Sequence, residues 1–334
     1  MFVVSTRVRS RIQVETYIVH FADRLIAGIW KCGNPVCAGI DPRPQSLPAG
    51  LLQGFSHDRV GVATAIRVFG KGVVDVVAKL IPVVKFQAAF YEALGPEGCL
   101  ALQETAQHAR KQGMIVIFDG KRNDIGSTAE AYANAYLSVD DQRDDDEQAS
   151  TWEVDAITIN PYLGSDGVNP FLEAAGHSEK GVFVLVRTSN PSAGEFQDLV
   201  ADGKPVYRHV ADRVVEWAER HRDSSGYSLL GAVVGATYPE QLAELRSLMP
   251  GIFFLVPGYG AQGGSAKDVA PAFNDQGLGA IINNSRGLVF AYNRPELREK
   301  YHGDWQRAIE HAAHEMIADL AEHTHARRLR SPGD

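Results

Sequence analysis

Apolar and polar positions alternate along the chain in two patterns. Short apolar runs rich in β-branched residues stand at 35–40, 81–86, 114–118, 155–159, 182–186, 229–234, 252–256 and 278–282. Runs that stay apolar on successive residues, rather than on alternate ones, predict strands covered on both faces, as in a parallel sheet. Between them apolar residues recur at helical spacing, most clearly over 100–111, 128–137, 206–220 and 239–248. Eight strand-like runs alternating with helical ones predict an α/β fold.

Two α/β architectures compete, a closed (β/α)8 barrel and an open doubly wound sheet. The count of eight favours the barrel. The strand ends favour it more strongly. Nearly every run ends in a polar or glycine-rich cluster: Asp41, Lys85, Asp119-Gly120-Lys121, Asn160-Pro161-Tyr162, Thr188-Ser189-Asn190, Thr237, Gly258-Tyr259-Gly260 and Ser285-Arg286. A barrel collects all C-terminal strand ends at one face, and that face carries the chemistry, whereas an open sheet would scatter them. The expected architecture is therefore a single-domain (β/α)8, or TIM, barrel over residues 13–326. Residues 13–31 would form a helix closing its bottom, and 305–320 a late amphipathic helix. Residues 1–12 read as an extension and 327–334 as a tail. An acidic surface insert is expected near 140–154, centred on the run 140–147.

Composition narrows the function. In 334 residues, 33 Lys and Arg against 41 Asp and Glu give a formal charge of -8. That balance argues against general nucleic-acid binding, which needs a basic face, but leaves room for a small anion held by a few local cations. The 3 cysteines, Cys32, Cys37 and Cys99, suit a reducing cytoplasm rather than a disulfide framework, and they contain no Cys-x-x-Cys pair for zinc. The segment after Arg7, Arg9 and Arg11 is broken by His20, Asp23 and Arg24, which argues against a signal peptide. No stretch approaches the roughly 18 apolar residues of a membrane span.

The sharpest chemical signal is Asp119-Gly-Lys121-Arg-Asn-Asp124, beyond the run 114–118. Charges inside a buried strand are expensive to desolvate, but at its open end they can face a ligand. Side chains alternate with period two, so Asp119 and Lys121 would share a face. The bland reading is a solvated loop with a surface ion pair. Lys85 ends the preceding run, where a Lys among apolar residues either snorkels or pairs. In a barrel it neighbours Asp119 and Lys121. Lys85, Asp119, Lys121 and Asp124 could then form one network of alternating charge that keeps a Lys protonated and fixed. The segment from Gly258 to Gly264 matches Gly-x-Gly-x-x-Gly, but the next strand ends in Asn283-Asn284-Ser285-Arg286, without the acid a dinucleotide site requires. Glycine loops after strands 7 and 8 of a barrel commonly bind phosphate. On that reading Gly260 to Gly264, including Gly263, supply backbone donors and Arg286 is the charged clamp. Two structural turns with a surface Arg is the alternative.

Taken together, Cys37-Ala-Gly-Ile-Asp41-Pro, Lys85-Phe-Gln-Ala-Ala-Phe-Tyr-Glu92, Asp119 to Thr128, Asn160-Pro-Tyr-Leu-Gly164, Thr188-Ser-Asn-Pro191, Val233-Val-Gly-Ala-Thr237, Pro257 to Gly264 and Ser285-Arg-Gly287 resemble orotidine 5′-phosphate decarboxylase, in particular its longer type 2 bacterial group. The resemblance covers roughly residues 20 to 320. It implies a homodimeric (β/α)8 barrel that converts orotidine 5′-monophosphate to UMP and CO2 with no metal or organic cofactor, in the cytoplasm. It implies that Lys85, Asp119, Lys121 and Asp124 form the catalytic network, with Lys121 the proton donor. It further implies that Asp41 contacts the ribose, that Ser189 reads the pyrimidine, and that Asp124 and Thr128 reach into the neighbouring site. The phosphate would lie on Gly260, Gly263 and Arg286; Gln262 is added as a substrate contact by position alone. The type 2 motif more often reads Asp-Ala-Lys-Arg-Gly-Asp, so Gly120 and Asn123 depart from it while every charged position is kept. Rival readings are a metal-dependent sugar-phosphate decarboxylase or hexulose-phosphate synthase, a Schiff-base aldolase, and a nucleotide-binding barrel without catalysis.

Overall fold

In a computed structural model, which describes residues 20–138, 152, 154–260 and 263–329, all eight runs are strands. They are β1 (Val36–Ile40), β2 (Val83–Gln87), β3 (Ile115–Arg122), β4 (Ala156–Ile159), β5 (Gly181–Arg187), β6 (Leu230–Val234), β7 (Phe254–Val256) and β8 (Ala280–Asn284). Each pairs in parallel with the next, and β8 pairs with β1, so the sheet closes into a barrel. The register places Gly39 beside Lys85 and Gln87 beside Asp119, which brings the polar ends of β1, β2 and β3 to one level. A two-stranded antiparallel hairpin, Val200–Ala201 with Lys204–Pro205, follows β5 outside the barrel.

The outer helices are α2 (Arg59–Val77), α3 (Pro96–Lys111), α4 (Gly126–Leu137), α5 (Ser165–Ser178), α6 (Val206–Ala218), α7 (Pro239–Leu248) and α8 (Trp305–His323), with α1 (Phe21–Cys32) ahead of β1. Their starts are locally encoded. Asp58 and Asp304 accept the first free amides of α2 and α8, at 2.8 and 3.1 Å from Gly61 N and Arg307 N. Pro96 and Pro239 occupy first helical positions, where a missing N–H is harmless.

Helix α1 occupies the latter part of the expected 13–31 segment; its residues 13–19, the extension 1–12, the acidic run 140–147 and residues 330–334 lie outside the described residues. The first residues of the expected tail, 327–329, belong to a 3-10 turn, His325–Leu329, whose Leu329 is buried. The main difference from expectation is β3, which continues four residues past Phe118 to Arg122. It does so through a register shift against β4 between Phe118 and Arg122. The added residues are Asp119 to Arg122, and the bulge lies among them at the C-terminal end of the strand.

Helix α1 seals the opposite end. Phe21 packs edge-on against Phe183 with ring centres 6.0 Å apart. A Cβ at Gly181 would come within 2.5 Å of the Phe21 ring, so that strand must begin with glycine for the helix to seat. Asp155, buried ahead of β4, accepts from Arg24 Nη1 of α1 at 2.6 Å and from Val116 N at 2.9 Å. One carboxylate thus ties helix, strand and barrel floor. Asp155→Ala leaves the Val116 amide without its acceptor and removes the carboxylate from the Arg24 guanidinium, which keeps Glu179 O at 3.1 Å. It is expected to lower the unfolding free energy by about 3 kcal/mol, read from urea unfolding with an unchanged m value; a loss near zero would show that α1 is held by its apolar face alone.

Candidate active site

The mouth of the barrel is organised around Asp119. Lys85 and Gln87 lie two apart on β2 and therefore point the same way, toward Asp119 on β3. Lys85 Nζ and Gln87 Nε2 donate to Asp119 Oδ2 at 2.9 and 3.2 Å. Lys121 Nζ and Thr158 Oγ1 donate to its Oδ1 at 2.6 and 2.8 Å. Both carboxylate oxygens therefore accept twice, which fills the capacity of an ionised carboxylate. The same Thr158 hydroxyl accepts from Lys121 N at 3.0 Å, so one β4 side chain holds both the carboxylate and the backbone of Lys121.

Burial alone would raise the Asp119 carboxyl, but the ammonium groups of Lys85 and Lys121 and their hydrogen bonds outweigh it and hold it well below the usual carboxylate range. Burial would likewise lower Lys85, and the charges of Asp119 and Asp41 reverse that, holding its ammonium well above its ordinary value. Asp41 Oδ1 stands 4.0 Å from Lys85 Nζ and is itself buried without a hydrogen-bond partner. Beneath them the Cys37 thiol is pushed up to about 12, first by burial, and is unsuited to nucleophilic work. Lys121 differs from Lys85 in two respects. Its side chain is 43% exposed, against 5% for Lys85. Its backbone sits at φ 47°, in the left-handed region, at the β3 bulge.

Asp41 also lines a cavity of about 670 Å³ between the ends of β1, β7 and β8, together with Arg43, Tyr259, Asn283, Asn284, Ser285 and Arg286. A Cβ at Gly39 would lie 2.9 Å from Ser285 Cβ, so glycine there lets the first and last strands meet. Ser285 Oγ, like Asp41 Oδ1, is buried with its hydrogen bonding unmet. Such groups on a cavity wall suit a polar ligand. Among the described residues no carboxylate pairs with Arg286, whereas Arg294 on the same wall pairs with Glu315 at 2.7 Å and Glu296 at 2.8 Å. Arg286 is thus placed for an anion arriving from outside.

Not every expected residue joins this centre. Within one chain Lys85, Asp119 and Lys121 form the network and Asp41 adjoins it, but Asp124 stands apart. Asp124 Oδ1 accepts from Ile125 N at 2.8 Å, at the approach to α4. The inward face of β3 ends at Lys121, and Asp124 falls beyond the strand. Thr128 is exposed in the first turn of α4. Ser189 follows β5, where its carbonyl accepts from Thr237 Oγ1 at 3.3 Å, and it is not part of the cavity wall.

The glycine loop also differs from expectation. Gly260 N donates to Gly264 O at 2.7 Å, Gly263 N to Gly260 O at 2.8 Å and Gly264 N to Gly258 O at 3.1 Å. These amides close the loop on itself rather than presenting free donors, and Gln262 lies outside the described residues. The glycines serve the turn, with φ 74° at Gly260 and 93° at Gly263. Two residues were given no role by the sequence alone. Thr158 sits in an apolar β-branched run, where a threonine looks like any strand former. Gln87 closes the Lys85 run, and only the register shows that it faces Asp119.

Comparison with known proteins agrees with this geometry. Residues 35–301 match the model of the orotidine 5′-phosphate decarboxylase / HUMPS family. An orotidine 5′-phosphate decarboxylase of Rhodopirellula baltica is 49% identical over 303 residues, covering 90% of this chain and 98% of the relative. One from Caldicellulosiruptor bescii is 38% identical, covering 87% and 94%. A crystal structure of a protein from Streptomyces avermitilis, described as a putative orotidine 5′-phosphate decarboxylase, superposes with TM-score 0.71 at 32% identity, covering 91% of this chain and 95% of that one.

The charge balance at Asp119 makes a prediction about stability. Its depressed carboxyl contributes stability that is present above the unfolded value of about 3.9 and lost as pH falls through the lower folded value. The raised Lys85 contributes below about 10.4 and loses its contribution only as pH rises through its higher folded value. Asp119→Asn is therefore expected to destabilise the protein by about 3–5 kcal/mol, evenly between pH 5 and 9 in urea titrations, on the order of those bounds. The deficit should shrink below about pH 4, where the unfolded chain's Asp119 takes up a proton before the folded carboxylate does; a deficit that grew there would contradict the assigned charge.

Proposed function

The chain belongs to the orotidine 5′-phosphate decarboxylase / HUMPS family, and from that premise we propose the course of its reaction. The activity is the decarboxylation of orotidine 5′-monophosphate to UMP and CO2, a carbon–carbon lyase reaction of pyrimidine biosynthesis. Cleavage of the bond from C6 to the carboxylate leaves its electron pair on C6, in the plane of the ring, where the carbonyl groups cannot conjugate with it. The stabilisation must be electrostatic and comes from a cation already in place. Lys121 supplies it, then transfers an Nζ proton to C6, yielding UMP and a neutral amine that solvent reprotonates. The observation that carries this reading is the Lys121 ammonium, 2.6 Å from an Asp119 whose other acceptor sites are occupied, on a side chain 43% exposed at the end of β3. Asp119 keeps Lys121 charged and aimed. Asp41 is assigned to the ribose, Ser189 to the pyrimidine and Arg286 to the phosphate, the last supported by its place on the cavity wall with no acidic partner among the described residues.

Purified protein with orotidine 5′-monophosphate and EDTA should lose the orotate ultraviolet absorbance completely, with UMP as product; dependence on added Mg²⁺ would favour a metal-dependent sugar-phosphate chemistry instead. Lys121→Ala should lower kcat by roughly 10⁴-fold or more while UMP still binds. Parallel loss of UMP binding in a folded protein would remove Lys121 from the proton-donor role.

A homodimer is part of the proposal. Asp124 and Thr128 lie outside the chain's own charge network, and the apolar side chains beside them are exposed: Ile125 at 53%, Tyr162 at 85% and Leu163 at 44%. Covering them with a second copy would bring Asp124 and Thr128 to the neighbouring mouth. Complementation checks this. Mixed and re-equilibrated, Lys121→Ala and Asp124→Ala chains should recover about a quarter of wild-type activity, because half the dimers are mixed and one of their two sites is intact. No recovery from mixed dimers would place Asp124 in its own chain's site. A cytoplasmic setting is proposed on the three unpaired cysteines. Among the described residues no helix is long and apolar enough to cross a membrane.

A further inference from the structure

Lys121 holds a backbone conformation that L side chains rarely adopt, at a bulge in the last strand turn before the mouth. Such a conformation persists only where the surroundings over-determine it. Thr158 fixes one side, through the Lys121 amide. The other side is fixed by the next residue, Arg122. Its Nη1 donates to Gly120 O at 3.3 Å, the carbonyl of the peptide that enters Lys121. Its Nη2 meets the Glu92 carboxylate and donates to Tyr136 Oη at 3.3 Å. The guanidinium lies among three rings, 5.4 Å from the centre of Phe118, 5.7 Å from Tyr132 and 5.8 Å from Tyr136.

These contacts join the segments that carry the charge network. Glu92 ends the short helix Ala88–Glu92 directly after β2, the strand of Lys85 and Gln87. Tyr132 and Tyr136 belong to α4, which follows Asp124. Phe118 stacks on Tyr136 with ring centres 4.3 Å apart, and a Cβ at Gly120 would come within 2.3 Å of the Phe118 ring. The ring beneath the guanidinium therefore also fixes the peptide in front of Lys121. A planar fork with five donors and two aromatic-compatible faces can bond a carbonyl, a carboxylate and a phenol at once, which a single ammonium cannot reproduce.

From this arrangement we infer that Arg122 is a positioning residue for Lys121: it clamps the Gly120–Lys121 bulge between β2 and α4 and so aims the Lys121 ammonium, without touching substrate. The inference rests on the reading of Lys121 as the proton donor.

Its test is Arg122→Ala in the full-length protein. The variant is expected to fold, because the end of β3 is held by backbone bonds that it keeps, such as Asn160 N to Arg122 O at 3.0 Å. A misaimed donor should lower kcat roughly 10²-fold while the dissociation constant for UMP stays within about threefold. Exchange of the UMP C6 proton in D2O, which reads transfer between Lys121 and C6 without carbon–carbon cleavage, should fall by the same factor as kcat. Guanidinium ion should restore part of both rates in Arg122→Ala and none in Lys121→Ala, and Arg122→Lys should remain impaired. An unchanged kcat, or a loss matched by weaker UMP binding, would overturn the inference. If Arg122→Ala does not fold, Glu92→Gln removes the charged partner of the clamp and is read by the same split between kcat and UMP affinity. A wild-type protein inactive on orotidine 5′-monophosphate would instead overturn the decarboxylase reading, so the two failures are distinguishable.

Discussion

The structure turns on one ionised carboxylate kept out of water. Asp119 can remain charged at 7% exposure only because four donors from three strands meet its two oxygens. That requirement sets the register of β2 on β3, since Gln87 and Asp119 must be neighbours, and it places Thr158 on the far side. It also sets the charge of the surroundings. Two ammonium groups around one carboxylate leave an excess of positive charge, and Asp41 on β1's exit compensates part of it at 4.0 Å. The far end of the barrel solves the same problem in the same way. Asp155 is buried among donors from α1 and β3 and fastens the plug. One buried acid anchors each end of the barrel.

The barrel was legible because parallel strands are covered on both faces and leave unbroken apolar runs. All eight runs found their strands within a few residues. The charges were legible because a charged residue at the end of such a run has few places to go. What the sequence could not show depends on three-dimensional register. Thr158 is chemically silent in a row of strand formers until β4 is placed beside β3. Asp124 follows the motif closely in sequence, yet the bulge and the end of the strand carry it away from Lys121. The glycines from 258 to 264 look like a phosphate cradle because glycine frees the backbone. Whether the freed amides point outward or close on one another is decided by the loop's own hydrogen bonds, and here Gly260, Gly263 and Gly264 close inward. The departures at Gly120 and Asn123 gain a partial account. The Phe118 ring crowds position 120, whereas Asn123 Oδ1 is buried without a partner, and nothing in the structure explains that choice.

Two ammonium groups bond to the same carboxylate, and the environment decides which of them can act as the donor. Lys85 is 5% exposed by its side chain and has a carboxylate on each side. Its ammonium is held well above its ordinary value, so surrendering a proton would leave two neighbouring carboxylates with less compensation in a dry site. On the proposed reading it keeps Asp119 charged. Among the described residues Lys121 pairs with Asp119 and no second acid, and its side chain is 43% exposed at the end of β3. A proton donor must give its proton to carbon and recover it in every turnover. Of the two, only Lys121 stands where both exchanges are possible, and its strained backbone is what carries it there. On the proposed mechanism the buried partner supplies permanence and the exposed one supplies turnover, a division that follows from position in the barrel rather than from any difference between the two side chains.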